Sequence, residues 1–449
     1  MRSLLHKLTT VQLIAIFYIT AIVGATLLLS IPLLHRDGVE LTFLESMFTA
    51  VSAITVTGLT VVTIAETFNP AGYIAIIIIL QLGGIGVMTF GTFIWMLFGN
   101  RVGLRGRKLI RADQNRGTFA DLVHLMISIF RILLLIELIG GLILSFYFLN
   151  YFDTWQEAFI QGFFASVCAT TNAGFDITGQ SLIPFAGDYF VQFIVIILII
   201  LGAIGFPVLI EVKELLSGKY NKVTHKYNFS LFTKITSTTF LVLVIIGWVL
   251  IFALEYNHFF SDKTWHEKIF YSLFQSVSSR SGGLTTMDMN GFSIPTLLVL
   301  SALMFIGASP SSVGGGIRTT TFAIMLLAIY NFAKGNRGIK IFGREIEEDD
   351  IHRSFIVVTT GVMLVSSAVI LVSMVEDFPL LAIMFEITSA FGTTGLSMGI
   401  TQDLTVFSKC ILMILMFIGR VGIFSFLFLI RGEGKTDLYH FPKEKVIIG

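Results

Sequence analysis

The stretch SAITVTGLT, residues 52–60, decides the fold because a version of it returns three more times. Its counterparts are CATTNAGFD (168–176), VSSRSGGLT (277–285) and SAFGTTGLS (389–397). Aligned on one glycine, they put Gly58, Gly174, Gly283 and Gly395 in register. Leu59, Phe175, Leu284 and Leu396 follow, and Phe48, Phe164, Leu273 and Phe385 stand upstream in equal register. A second motif trails each copy: LGGIG (82–86), LGAIG (201–205), IGASP (306–310) and IGRVG (418–422). Two motifs in fixed order, four times, roughly 110 residues apart, define an internal repeat.

Hydrophobic residues make up 55% of the chain and charged residues 13%, against about 25% charged in soluble domains. The shortfall makes lipid the solvent. The near balance of 30 basic and 29 acidic residues excludes the basic field a nucleic-acid binder needs. Cys168 and Cys410 are far apart in apolar sequence and lack metal spacing, so they read as free thiols. No Walker loop or dinucleotide fingerprint occurs and the histidines are dispersed. A membrane-embedded enzyme would need convergent His, Asp or Glu in its spans, and the pattern offers none. No nucleotide is expected to bind this chain.

Apolar segments near 11–34, 71–98, 120–149, 188–212, 231–256, 295–332, 352–375 and 404–430 mostly exceed the ~20 residues a membrane helix needs. The first follows Arg2 and Lys7 but is too long for a signal peptide, and reads as an uncleaved span. Shorter apolar stretches near 43–55, 155–171, 265–279 and 379–391 suit re-entrant half-helices. The expected fold is therefore an all-α polytopic membrane protein. It has four tandem helix–pore-loop–helix repeats around a pseudo-fourfold pore: 1–100, 101–218, 219–336 and 337–432, with a tail at 433–449. Basic residues cluster in 99–119, in Lys213–Lys234, in Lys334–Arg353 and at both termini. The positive-inside rule then puts both termini in the cytoplasm of a multi-pass cell-membrane protein.

A half-helix that enters from outside and returns as extended chain needs water or protein for its backbone. Four such returns around one axis aim carbonyls at a common centre, and such a ring can replace the hydration shell of an alkali cation. Glycine supplies the positive φ that this conformation requires. The expected filter comprises Gly58, Gly174, Gly283 and Gly395 with Thr57, Ala173, Gly282 and Thr394 before them; in the third unit either Gly282 or Gly283 fits. Half-helix C-termini add partial negative charge. Asp176 and Asp288 flank the loops, either to concentrate cations or as solvated loop residues.

The sixth segment contains Gly307 to Gly316 with Pro310, Ser311, Ser312 and the triplet Gly314, Gly315 and Gly316. A continuous helix there costs about 1 kcal/mol per Gly and about 3 for Pro, so the segment is broken in mid-membrane and reads as a gate. Arg420 lies deep in the last span, where it either faces the pore, pairs with carbonyls freed at 307–316, or snorkels inward. Arg280 either tunes the third pore loop or braces its half-helix. Arg318 would anchor the glycine loop. Arg131 and Glu137 share a span on different faces.

TVTGL (55–59), TNAGF (171–175), RSGGL (280–284) and GTTGL (392–396), carried on four helix–pore–helix units, resemble the Trk/Ktr/HKT superfamily of potassium transporters. The match covers about 11–449 and is nearest to the KtrB/KtrD-type membrane subunits of bacterial Ktr systems. The resemblance implies K+ coordinated by backbone at Gly58, Gly174, Gly283 and Gly395, potassium uptake with Na+ as activator, and a homodimer. It implies a flexible gate loop at 307–316 that an arginine at the position of Arg420 faces. It further implies a cytoplasmic RCK-type ring (KtrA/KtrC type) that binds ATP or ADP. By composition alone, 99–119 and 431–449 meet anionic membrane lipid; the resemblance moves them towards the ring. A less selective Na+/K+ channel of the same architecture is the alternative.

Overall fold

The computed structural model describes residues 10–86, 122–218, 227–336, 338–431 and 444. The loop at 99–119, much of the Lys213–Lys234 connection and nearly all of the tail lie outside them.

Each repeat has an outer helix, a pore half-helix and an inner helix. Outer helices are α1 (Thr10–Leu29), α4 (Leu122–Phe148), α8 (Leu231–Glu255) and α12 (Glu348–Ser373). Pore helices are α2 (Phe43–Thr55), α5 (Trp155–Thr170), α9 (Trp265–Ser278) and α13 (Leu380–Gly392). Inner helices begin with α3 (Pro70–Ile85), α6 (Tyr189–Ala203), α10 (Ile294–Phe305) and α14 (Val406–Val421), and resume as α7 (Phe206–Leu216), α11 (Thr319–Ala333) and α15 (Ile423–Arg431). A two-stranded hairpin, Lys340–Ile341 with Arg344–Glu345, connects repeats three and four.

Local sequence fixes these starts. Pore helices one and three open on capping boxes, Thr42 with Glu45 and Thr264 with Glu267, which satisfy orphan N–H groups reciprocally. Asn69, Asp188 and Thr405 cap α3, α6 and α14. The last two repeats tie the starts of α10 and α14 to carboxylates at or just after the ends of the outer helices α8 and α12. The Glu255 carboxylate accepts from Ser293 N–H at 2.9 Å and from its hydroxyl at 2.6 Å. Glu376 accepts from Thr405 at 2.9 and 2.7 Å in the same way.

Each inner helix packs on the next pore helix: α3 on α5, α6 on α9, α10 on α13, and α14 back on α2. That closure makes a ring from a linear chain. The burial is inverted relative to a soluble protein. Ile139, Leu241 and Ile414 are exposed on the outside, whereas Ser52, Thr57, Asn172, Ser278 and Thr393 are fully buried inside. Lipid takes the apolar faces, and the polar groups converge where they find partners.

The inner helices correct one expectation. The sequence reserves a break for the third repeat, but every inner helix stops at the second motif. Gly86, Gly205 and Gly422 have φ of 95°, 103° and 90°, and the helices turn by 105° at Gly205 and 102° at Gly422. The segments 188–212 and 404–430 are therefore not straight spans. The second residue of the motif, still helical, makes a close approach of its own in each of these repeats. A Cβ at Gly83, Gly202 or Gly419 would strike the carbonyls of Ile54, Thr170 and Phe391, at the C-terminal ends of the pore helices. Only glycine allows that approach.

Candidate functional site

The four aligned glycines meet. Gly58, Gly174, Gly283 and Gly395 have φ of 91°, 65°, 68° and 92°. A Cβ on Gly58 would lie 2.8 Å from the Cα of Gly174, and one on Gly174 would lie 3.1 Å from that of Gly283. A Cβ on Gly283 would strike the Thr394 carbonyl, and one on Gly395 the Thr57 carbonyl. The cycle closes in chain order. Gly283, not Gly282, occupies the ring; Gly282 lies one place earlier against Ile199 and Ser278.

The backbone around the ring has a direction. Thr57, Ala173 and Thr394 donate their N–H to the carbonyls of Ser52, Cys168 and Ser389 in their own pore helices, at 2.8, 2.8 and 2.9 Å. Gly283 donates to Ser278 at 3.3 Å. Gly58 and Gly395 donate to the hydroxyls of Ser52 and Ser389, each at 3.0 Å. The peptides are trans, so the carbonyl of each preceding residue points the opposite way. The carbonyls of Val56, Thr57, Asn172, Gly282 and Thr394 thus face away from the pore helices, the side on which the ring closes, while that of Thr393 accepts the Ser281 hydroxyl.

Sequence reasoning missed the residue two places before each glycine. Val56, Asn172, Ser281 and Thr393 all have positive φ: 56°, 52°, 94° and 48°. For β-branched Val56 and Thr393 this is a strained conformation. The four side chains differ, so no residue signal marks the position.

Beneath the ring lies the third break, which runs from Ile306 to Arg318 between α10 and α11. Its residues bond to the other inner helices. Ser309 and Val313 donate N–H to Ala203 and Gly202 at 3.1 and 3.3 Å, Phe206 donates to the Ser311 carbonyl at 2.8 Å, and Gly316 donates to Gly419 at 3.2 Å. Gly315 N–H reaches Thr393 Oγ1 at 2.7 Å, and Gly314 packs against Ser281 so closely that no Cβ fits. The Ser312 hydroxyl donates to the Ser309 carbonyl at 2.6 Å. The segment is therefore tied to repeats two and four, and within repeat four to the pore loop itself. Below it a cavity of about 660 Å³ opens, lined by Tyr18, Gly86, Phe206, Ser311, Arg318 and Arg420.

Three arginines hold the break. Arg420 donates to the Val313 carbonyl, and also to Gly83 and, at 3.1 Å, to Gly84 in the first repeat. The contacts with repeat one are invisible in sequence. Arg318 donates to Ser309 at 3.2 Å and to Gly314. Arg280 is fully buried and reaches down to Leu303 at 3.2 Å and Gly307 at 2.6 Å, the carbonyls at the end of α10. Each guanidinium satisfies carbonyls that a broken helix leaves without partners.

Other singled-out residues are structural. Asp176 accepts from the Thr178, Gly179 and Ser181 N–H groups, and Asp288 caps a single turn through Asn290. Both organise their own loops. Glu137 takes a 2.6 Å hydrogen bond from Gln81 of the neighbouring repeat. Arg131 is exposed on α4. The cysteines are free thiols.

A ring of pore half-helices, re-entrant loops and broken inner helices defines a helical membrane protein of the pore-loop class. The match to known proteins is specific. The family model of TrkH, described as a cation transport protein, covers residues 8–435, and the chain belongs to that family, one of transporters and not of enzymes. It is 54% identical to Ktr system potassium uptake protein D of Bacillus subtilis, over 100% of this chain and 99% of that protein. It is 32% identical to the potassium/sodium uptake protein NtpJ of Enterococcus hirae, over 99% and 98%. The crystal structure of the potassium transporter TrkH from Vibrio parahaemolyticus shares the fold, with a TM-score of 0.74 at 17% identity over 93% and 84% of the two chains.

Proposed function

We propose that this chain is the membrane subunit of a Ktr-type system and takes up potassium through the glycine ring. The observation that carries the reading is the directed backbone. N–H groups on the pore-helix side leave carbonyls facing the ring, and carbonyls are the ligands that replace water around a dehydrated alkali cation. The backbone at Gly58, Gly174, Gly283 and Gly395, with Thr57, Ala173, Gly282 and Thr394, forms the filter in this reading. The segment around Ser311, Ser312, Gly314, Gly315 and Gly316, held by Arg420, is the gate. It has bonds to repeats two and four to break before the path opens.

In this reading both termini are cytoplasmic, as the distribution of basic residues implies, and a soluble nucleotide-binding ring of the RCK type, with ATP or ADP, acts on the gate from that side. The chain works as a homodimer, each protomer with its own pore, and sodium stimulates it. The name of the Enterococcus hirae relative favours a second reading, a path that passes sodium as well as potassium.

Rubidium uptake into liposomes by the purified protein tests both. Uptake should fall at least about tenfold when any one of the four glycines becomes serine, because each Cβ meets backbone. Competition by sodium separates the readings. Flux indifferent to all four changes would overturn the assignment.

A further inference from the structure

Glu386 lies in pore helix α13 and is 1% exposed. It has no basic partner among the described residues, yet both of its oxygens are engaged. Oε1 accepts from the Ser397 hydroxyl at 2.5 Å and from the Met398 N–H at 2.9 Å. Oε2 accepts from the Thr401 hydroxyl at 2.8 Å. All three donors follow Gly395, on the outer limb of the fourth pore loop. The Ser397 hydroxyl in turn accepts the Gly399 N–H at 2.8 Å, so one carboxylate organises the limb from 397 to 401.

The other repeats lack this device. Counting back equally from the ring glycine gives Thr49, Ala165 and Phe274. Pore helices two and three reach their outer limbs with amides. Gln161 donates to the Ile177 carbonyl at 3.2 Å, and Gln275 donates to Met289 sulfur at 3.5 Å. An amide holds its limb at one point. The acid of repeat four holds three, and a group that accepts several hydrogen bonds with no freedom to rotate fixes position more tightly than one bond does.

We infer that Glu386 is a positioning residue for ion selection: from behind the fourth pore loop it fixes the outer limb and so the carbonyls of Thr394 and Gly395. It never touches the ion. The inference rests on the reading of the glycine ring as a filter. Discrimination between alkali cations depends on how closely the carbonyls keep their spacing, or on their number and field; a loosened limb relaxes either.

Glu386→Gln tests this, since it keeps volume but turns an acceptor atom into a donor that faces a donor. In liposomes with the full-length protein, the ratio of rubidium to sodium permeation should fall roughly tenfold while rubidium flux stays measurable. Ser397→Ala and Thr401→Val should each produce part of the change, and neither should add its full effect to Glu386→Gln. A protein merely weakened by the substitution would lose flux for both ions in proportion, with an unchanged ratio, and that result would overturn the proposal. Gly395→Ser is the control. If it leaves flux and ratio intact, the filter reading itself fails; if it abolishes flux while Glu386→Gln keeps the native ratio, only the positioning role fails.

Discussion

Thr393 and Gly315 are joined by a 2.7 Å hydrogen bond from the Gly315 N–H to the Thr393 hydroxyl oxygen, so the pore loop and the break beneath it touch directly. Thr393 also accepts the Ser281 hydroxyl on its carbonyl, at 2.8 Å. One threonine in a strained backbone conformation thus links the third loop, the fourth loop and the glycine segment. Thr393→Val keeps the shape and the β-branching but removes the acceptor. The loop loses about 1 kcal/mol of hold, so resting flux through the protein without any cytoplasmic partner should rise about fivefold. Thr393→Ser should behave as native. Liposome flux of the isolated protein measures both, and equal resting flux in all three would separate the loop from the gate.

The inner-helix turns offer a cleaner energetic comparison. Gly422 has φ of 90° and open space where a Cβ would go, whereas a Cβ on Gly419 would strike the Phe391 carbonyl. Gly422→Ala should therefore cost only backbone strain, about 1–3 kcal/mol. Gly419→Ala should cost more, because the end of a pore helix has to shift. Thermal unfolding in detergent should rank native above Gly422→Ala above Gly419→Ala. The reverse order of the two variants would mean that the turn, not the close approach, is the tighter constraint.

Glu376 gives a pH dependence. Burial alone would raise its carboxyl, but hydrogen bonds from the Ser408 and Thr405 side chains and the Thr405 N–H outweigh it and hold the group below the usual carboxylate range. A group depressed in the folded state stabilises fully above its unfolded pKa, about 4.3, and loses that contribution as pH falls through the folded value. Native protein should therefore lose stability below about pH 4 more steeply than Glu376→Gln. At neutral pH the variant should be weaker by about 1–3 kcal/mol. Melting curves from pH 3 to pH 7 in detergent read the difference, and parallel curves would remove Glu376 from the acid response.

The repeat, the ring glycines and the third break were legible because glycine marks its own conformation. Pro310 and the run Gly314–Gly316 likewise forbid a helix by composition. The helix end at Gly86 and the turns at Gly205 and Gly422 were not legible. A single glycine in an apolar run costs a helix only about 1 kcal/mol, so a continuous span reads equally well. The positive φ of those glycines, and the approach of Gly83, Gly202 and Gly419 to pore-helix carbonyls, are tertiary facts. Glu386 hid for a different reason. Its half-helix reads as apolar, and the three groups that hold the carboxylate lie beyond the glycine on the returning strand. Arg420 was recognised as costly in lipid, and its bond to the Val313 carbonyl lies within the loop expected as its partner. Its bonds to Gly83 and Gly84 cross more than 330 residues of sequence, and no local pattern announces them.

The break at 306–318 occupies ground that its own repeat shares with three others. Four identical polypeptides could not build this, since each would bring a copy of the insertion to a space with room for one. Joining the four units in a single chain lets one diverge while repeats two and four keep the shorter glycine turn. Covalent fusion is thus the condition for an off-centre segment on a near-symmetric axis, and under the gate we propose it leaves one segment, not four acting in concert, to open the way.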